Sequence, residues 1–444
     1  MSEQSRDVRN VGRRILRRSA QGVLTVRRTV ARRPRLMAYL AIVGPGVITA
    51  AAGNDAGGIA TFASVGADYG YRLLWVLIPL TISLGIVQEM CARMGAVTGK
   101  GLSDLIRERF GVRWTAFVMM ALLIANGGVT VSEFVGIAAA LELLGVARYI
   151  SVPIAAAAIW WLIVKGNYQR VERVFLVMSL VFLAYVVAAF LAHPPWSTVA
   201  IELVRPHFEL TPPFVFTFVA VIGTTISPYM QVFIQSSVVE KGVRAENYRL
   251  TRIDVWVGTV FAILIVFFIV ISTAATLHVH GQHVESAGEA AAALRPLAGP
   301  YAEMLFAIGL FGASMLAAGV LPLATAYSIS EAFGFEKGVS SSFREAPIFL
   351  GVFTFLVVLG ATVAMMPGLS LIHVLIVTQV INGVLLPVIL IVVLKLVNNR
   401  EIMGTHVNGP VYNVAAWLTT IIVSVLSLAV IISTLFPNLF STGH

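Results

Sequence analysis

Eleven apolar runs follow one another along this chain, at about 38–66, 72–96, 114–143, 150–164, 172–192, 213–239, 251–278, 299–332, 347–365, 369–397 and 411–436. Most approach or exceed the roughly 20 residues that carry a helix across a bilayer, and the fourth is short. Inside a membrane every backbone polar group must find a partner within the protein, so continuous apolar runs of this length can only be helices. Charged residues make up 12% of the chain and mean hydropathy is +0.88. A soluble domain holds about 25% charged residues. The chain is therefore expected to be an all-α polytopic membrane protein. Its plan is a basic arm (1–36) followed by a single transmembrane domain (37–444).

Charge tests the count of spans. With the N-terminus placed inside, basic residues cluster after the second, fourth, sixth, eighth and tenth runs, all on the inner side. The outer loops hold only Arg72, Arg148, Arg205 and Arg295, so 27 of the 31 basic residues fall on one side. One wrong helix would scramble this pattern. The net charge of +9 thus reports topology and not a nucleic-acid partner. The C-terminus is expected outside and the membrane to be the plasma membrane. The arm carries eleven arginines before Met37 and lacks the apolar core of a typical cleavable signal peptide. It is expected to be cytoplasmic and to meet anionic lipid. One cysteine, Cys91, excludes an internal disulfide and a cysteine-built metal cluster.

The first run reads GPGVITAAAGNDAGGIATFASVGADYG over 44–70. A carboxylate at bilayer depth is expensive and faces a polar cavity or a partner, which singles out Asp55. Gly57 and Gly58 are poor helix formers and predict local unwinding at 53–58. Unwinding frees carbonyls, and carbonyls with a carboxylate make an all-oxygen cation site. The sixth run, FVAVIGTTISPYMQVFIQSS, has Gly223 and Pro228 at a similar depth, with Thr224, Thr225, Ser227 and Tyr229 supplying hydroxyls. Read alone it is also a plain proline kink. Two interrupted helices five spans apart point to inverted repeats, about 37–192 and 213–397, around a midplane site, with an extra helix at 411–436.

Other polar residues leave two readings open. Gln379 and Asn382 in the tenth run offer carbonyl oxygens to a hard cation or bonds between helices; for Asn382 the structural reading leads. Asn126 and Glu133 share a face of the third run. Glu133 can relay protons, pair with an arginine or balance the site. Glu89 and Arg93 sit one turn apart and are read as a structural pair. His278, His280 and His283 are read as decorating a solvated loop, since no shell of further ligands is visible.

The segment QEMCARMGAVTGKGLSDLIRERFG (88–111) resembles the stretch after the second helix of the Nramp divalent-metal transporters. ANGGVTVSEFVG, GTTISPYMQ, TQVINGVLLP and NNREIMG match further landmarks of that family in the right order, as do GPG at 44–46 and YGYRLLWV at 69–76. The resemblance covers nearly everything after residue 36. It implies a LeuT-like fold: two inverted five-helix repeats and an eleventh helix, with the first and sixth helices unwound at the midplane.

The chain departs from the family at the site itself. Where the family has Asp-Pro-Gly-Asn, this chain has Asp55-Ala56-Gly57-Gly58. Where it has Met-Pro-His, this chain has Ser227-Pro228-Tyr229. Thr130 replaces an aspartate three residues before Glu133. A thioether helps select transition metals, so losing it hardens the site. Mg²⁺ keeps several waters when bound, and a wider oxygen site suits it. The pattern looks like the Nramp-related magnesium transporters. The expectation is a monomeric Mg²⁺ importer that also passes Mn²⁺, with the ion as substrate, no cofactor and weak or absent proton coupling. Its expected metal residues are Asp55, Ala52, Gly58, Thr224, Ser227, Tyr229 and Gln379, with Glu133 as relay or counter-charge. The closest rival is a proton-coupled Mn²⁺/Fe²⁺ transporter. An amino-acid transporter needs free helix N-termini for a carboxylate, which Asp55 opposes. A membrane enzyme lacks any HExxH or GxSxG motif here, and saturable, slow flux would count against a channel.

Overall fold

The computed structural model describes residues 55–164, 180–209, 211–336 and 343–435. The basic arm, the first half of the first run with Ala52, and the start of the fifth run lie outside the described residues. All regular structure among the described residues is helical. The long elements are α1 (Ala56–Tyr69), α2 (Leu77–Thr98), α3 (Leu102–Glu142), α4 (Arg148–Val164), α5 (Ala184–Leu191), α6 (Trp196–Val204), α7 (Pro212–Thr225), α8 (Pro228–Glu240), α9 (Tyr248–Thr276), α10 (Ala302–Phe333), α11 (Pro347–Ala364), α12 (Leu371–Val397) and α13 (Pro410–Leu435).

Every apolar run has a helical counterpart. Eight helical segments among the described residues are long and apolar enough to span a bilayer, and α4 is shorter. Three details differ from the sequence reading. Helix α3 begins at Leu102, twelve residues early, and bends at Gly111, whose φ is 75°. The segment 193–212 is no plain loop: α6 folds back by 116° from the helix before it. The loop 279–298 likewise holds two short helices, Ala287–Ala292 and Arg295–Ala298.

The packing is reciprocal. Helix α1, the first of the first half, lies against α9, the second of the second half; α8, from the first span of the second half, lies against α2, the second of the first. The third span of each half, α3 and α10, pack on each other. Swapped partners of this kind are what an inverted repeat requires. Helix α10 allows close approach because its buried face is small: Gly309, Gly312, Ala313, Ser314, Ala317, Ala318 and Gly319.

Candidate cation site

The sixth span is broken, as its sequence predicts. Helix α7 ends at Thr225, Ile226 (φ −113°, ψ 63°) and Ser227 (φ −71°, ψ 138°) leave the helical region, and Pro228 opens α8. Proline has no N–H to lose at a first helical position, so the chain restarts there without cost. The described part of the first run also begins with an extended residue ahead of a helix start. Asp55 is extended (φ −75°, ψ 173°) and caps α1, its Oδ1 accepting from Gly58 N–H at 2.6 Å. Gly57 and Gly58 therefore belong to the first turn of α1, not to an unwound stretch as their sequence suggested. The capping carboxylate supplies the bond that makes them helical.

Gly57 has a different purpose. A methyl group there would sit 1.9 Å from Gln379 Nε2, so the bare backbone admits the Gln379 side chain from α12. Gly223 does the same for backbone: an added methyl would lie 2.1 Å from the Gln379 carbonyl oxygen and 2.5 Å from Gly383 N. Helices α7 and α12 touch main chain to main chain at this level.

The break is held by side chains. Ser227 Oγ donates to Gly223 O at 2.9 Å, with Thr224 O at 3.2 Å. Asn382 Nδ2 donates to Gly223 O and to Ser227 Oγ, both at 2.9 Å. The carbonyls that unwinding releases are thus partly taken. Glu133 is fully buried; rather than an arginine, its Oε2 meets Ala56 N–H at a long 3.4 Å. Tyr229 is fully buried at the start of α8, within electrostatic reach of both carboxylates. Two buried carboxylates near each other form a like-charge pair that a cation relieves.

Several buried atoms near this junction have no hydrogen-bond partner: Asp55 Oδ2, Thr224 Oγ1, and Oε1 and Nε2 of Gln379. Buried polar atoms are nearly always paired, so a cluster of orphans marks a place for something else. Asp55 can offer a single oxygen, since the other is committed to its helix. The structure gathers Asp55, Gly58, Thr224, Ser227, Tyr229, Gln379 and Glu133 around the two junctions; Ala52 lies outside the described residues. Asn382 was read mainly as structural, and its structural work is at the site itself. Its spacing of three from Gln379 was the available signal, since the two share a helix face.

The remaining candidates fall elsewhere. Asn126 Nδ2 bonds Thr325 Oγ1 at 2.8 Å, joining α3 to α10. Glu89 and Arg93 pair at 3.4 Å. The three histidines point to separate partners: His278 Nδ1 to Ala67 O (2.8 Å), His280 Nδ1 to Thr276 O, and His283 Nδ1 to Asp68 Oδ1 (2.7 Å). Among the described residues no group of three or more His, Cys, Asp or Glu side chains forms a metal shell. Bonding to Asp68 holds the His283 imidazole above its ordinary range.

Reciprocal packing of the two halves, with the sixth span broken at its middle, defines a polytopic membrane protein of LeuT-like fold. Solved structures agree. The Eremococcus coleocola manganese transporter superposes with a TM-score of 0.72 at 21% identity, covering 92% of this chain and 90% of its own. A nucleobase-cation-symport-1 family transporter superposes with a TM-score of 0.55 at 14% identity, over 88% of this chain and 91% of its own. The chain belongs to the Nramp family: it matches the family described as natural resistance-associated macrophage protein-like over residues 46–433. A curated relative, the divalent metal cation transporter MntH of Deinococcus radiodurans, is 28% identical over 402 residues, spanning 87% of this chain and 88% of the relative.

Proposed function

We propose that this chain is a divalent-metal transporter that imports Mg²⁺, and also Mn²⁺, as a partly hydrated ion, by alternating access and without proton coupling. The observation that carries the reading is chemical. At the positions where the family resemblance places a thioether and an imidazole stand Ser227 and Tyr229, and the orphaned ligand atoms beside them on Asp55, Thr224 and Gln379 are oxygens and one amide nitrogen. Hard oxygen donors suit Mg²⁺ and Mn²⁺. The names of the relatives support the wider class, divalent metal and manganese transport.

In this reading Asp55 binds the ion through Oδ2, with backbone carbonyls at Ala52 and Thr224. Ser227, Tyr229 and Gln379 contact the ion directly or through its waters, and Gly58 leaves room for them. Ser227 has one lone pair left after accepting from Asn382 and donating to the break, which suits a water-mediated contact. Glu133 balances charge. A divalent ion gains about 2.3 kcal/mol per charge per 100 mV on moving inward, so membrane potential alone can drive import. The chain is read as a plasma-membrane monomer, and its charge distribution supports an N-terminus inside and a C-terminus outside.

The test uses proteoliposomes holding a Mg²⁺-sensitive dye, with a pH dye in parallel, for wild type and Asp55→Ala. Saturable Mg²⁺ uptake that the substitution abolishes, without acidification, is expected. Silence toward Mg²⁺ together with acid-coupled Mn²⁺ entry would replace this reading with that of a proton-coupled Mn²⁺/Fe²⁺ transporter.

A further inference from the structure

One stripe of α9 carries a feature unrelated to the ion path. Arg249, Arg252, Ile253, Trp256 and Val257 recur at intervals of three and four and so share a face. With Tyr412 of α13 they line an open groove of about 560 Å³. The groove changes character along its length. At one end are two guanidinium groups; about 12 Å further along the helix axis, at 1.5 Å per residue, it is wholly apolar. Ile253 and Val257 are 53% and 54% exposed, on the outside of a spanning helix. Trp256 backs the groove, its ring packed on Gly85 of α2.

The cations are poorly neutralised. Arg252 stacks 5.6 Å over the Tyr412 ring and donates to its hydroxyl at 3.0 Å, while its nearest carboxylate, Glu89, is 4.0 Å away and already bonded to Tyr248 and paired with Arg93. Arg249 is exposed and enters no ion pair among the described residues. A ligand that fits must be anionic at one end and apolar beyond it, and must arrive from the bilayer. Arginine forks suit a phosphate, tryptophan and tyrosine belong at the membrane interface, and basic pockets between spanning helices take acidic headgroups.

We propose that this groove is a binding site for an anionic phospholipid: the two arginines hold its phosphodiester, and its acyl chain lies along Ile253, Trp256 and Val257.

The full chain is reconstituted in phosphatidylcholine vesicles containing a rising fraction of phosphatidylglycerol brominated on its acyl chains, or of brominated phosphatidylcholine. Bromine quenches nearby tryptophan, and the Trp256 share is the difference between wild type and Trp256→Phe. Brominated phosphatidylglycerol should quench that share at a lower mole fraction than brominated phosphatidylcholine. Each arginine near a membrane surface adds about fivefold to the preference. Arg249→Gln should remove about fivefold, and the Arg249→Gln/Arg252→Gln pair most of the rest; Arg244→Gln, outside the groove, should change nothing. Arg249→Gln touches no ion pair among the described residues, so it keeps the test valid if the double variant misfolds. Equal quenching by the two lipids would overturn the proposal, as would a loss with Arg244→Gln equal to that with Arg249→Gln. Displacement of the brominated lipid by millimolar glycerophosphoglycerol would also overturn it, by showing a site for soluble phosphate.

Discussion

Asn382→Leu removes a side chain of similar size from the centre of the bundle and deletes two hydrogen bonds, to Gly223 O and Ser227 Oγ. Each such bond is worth about 0.5–1.5 kcal/mol net. Neither partner is left bare, because Ser227 Oγ still donates to Gly223 O. The substitution also relieves Asn382 Oδ1, which is buried without a partner. The loss should therefore fall near 1–2 kcal/mol, a factor of roughly 5–30. If Asn382 sets the shape of the break, the loss appears as a raised KM for Mn²⁺ or Mg²⁺ uptake in proteoliposomes. A cycle with Ser227→Ala should then show coupling of about 0.5–1.5 kcal/mol, since both changes remove one shared bond. Strictly additive effects, or an unchanged KM beside a lowered melting temperature, would refute the reasoning and return Asn382 to a purely structural role.

Reintroducing soft donors should move selectivity: Ser227→Met with Tyr229→His is expected to raise Cd²⁺ uptake relative to Mg²⁺, measured as a ratio of initial rates in the same vesicles. The His283–Asp68 contact should depend on pH. A raised imidazole value means its stabilisation is complete below pH 6.5, the ordinary histidine value, and is lost as pH rises through the higher folded one. Asp68→Asn should return the His283 titration toward that ordinary value, as followed by histidine ring NMR.

Much of the fold was legible because a bilayer permits so few solutions. Apolar length locates the helices, and arginine placement tests their number. Pro228 and Asp55 mark the two junctions because each breaks a local rule of membrane helices. Contacts between distant segments were not legible. Nothing near Gly57 announces that Gln379, more than three hundred residues later, will lie on it, so the glycine pair read as unwinding. Gly111 likewise gave no sign that α3 would start before it, since a polar, charged stretch precedes the apolar run. Asn382 looked like a generic polar bridge because its partners, Gly223 and Ser227, meet it only after the helices pack.

The helix ends described at the candidate site also set the direction of the backbone dipoles there. Helices α1 and α8 both begin at the site, while α7 ends there. A helix start carries about half a positive charge and a helix end about half a negative one. Asp55 caps the start of α1, with half its carboxylate turned toward its own helix, so part of its charge goes to offset that positive end. A naked ion pressed against the starts of α1 and α8 would feel their repulsion at short range. A layer of water between ion and backbone softens it, so the arrangement penalises least the ion that sheds its water most reluctantly.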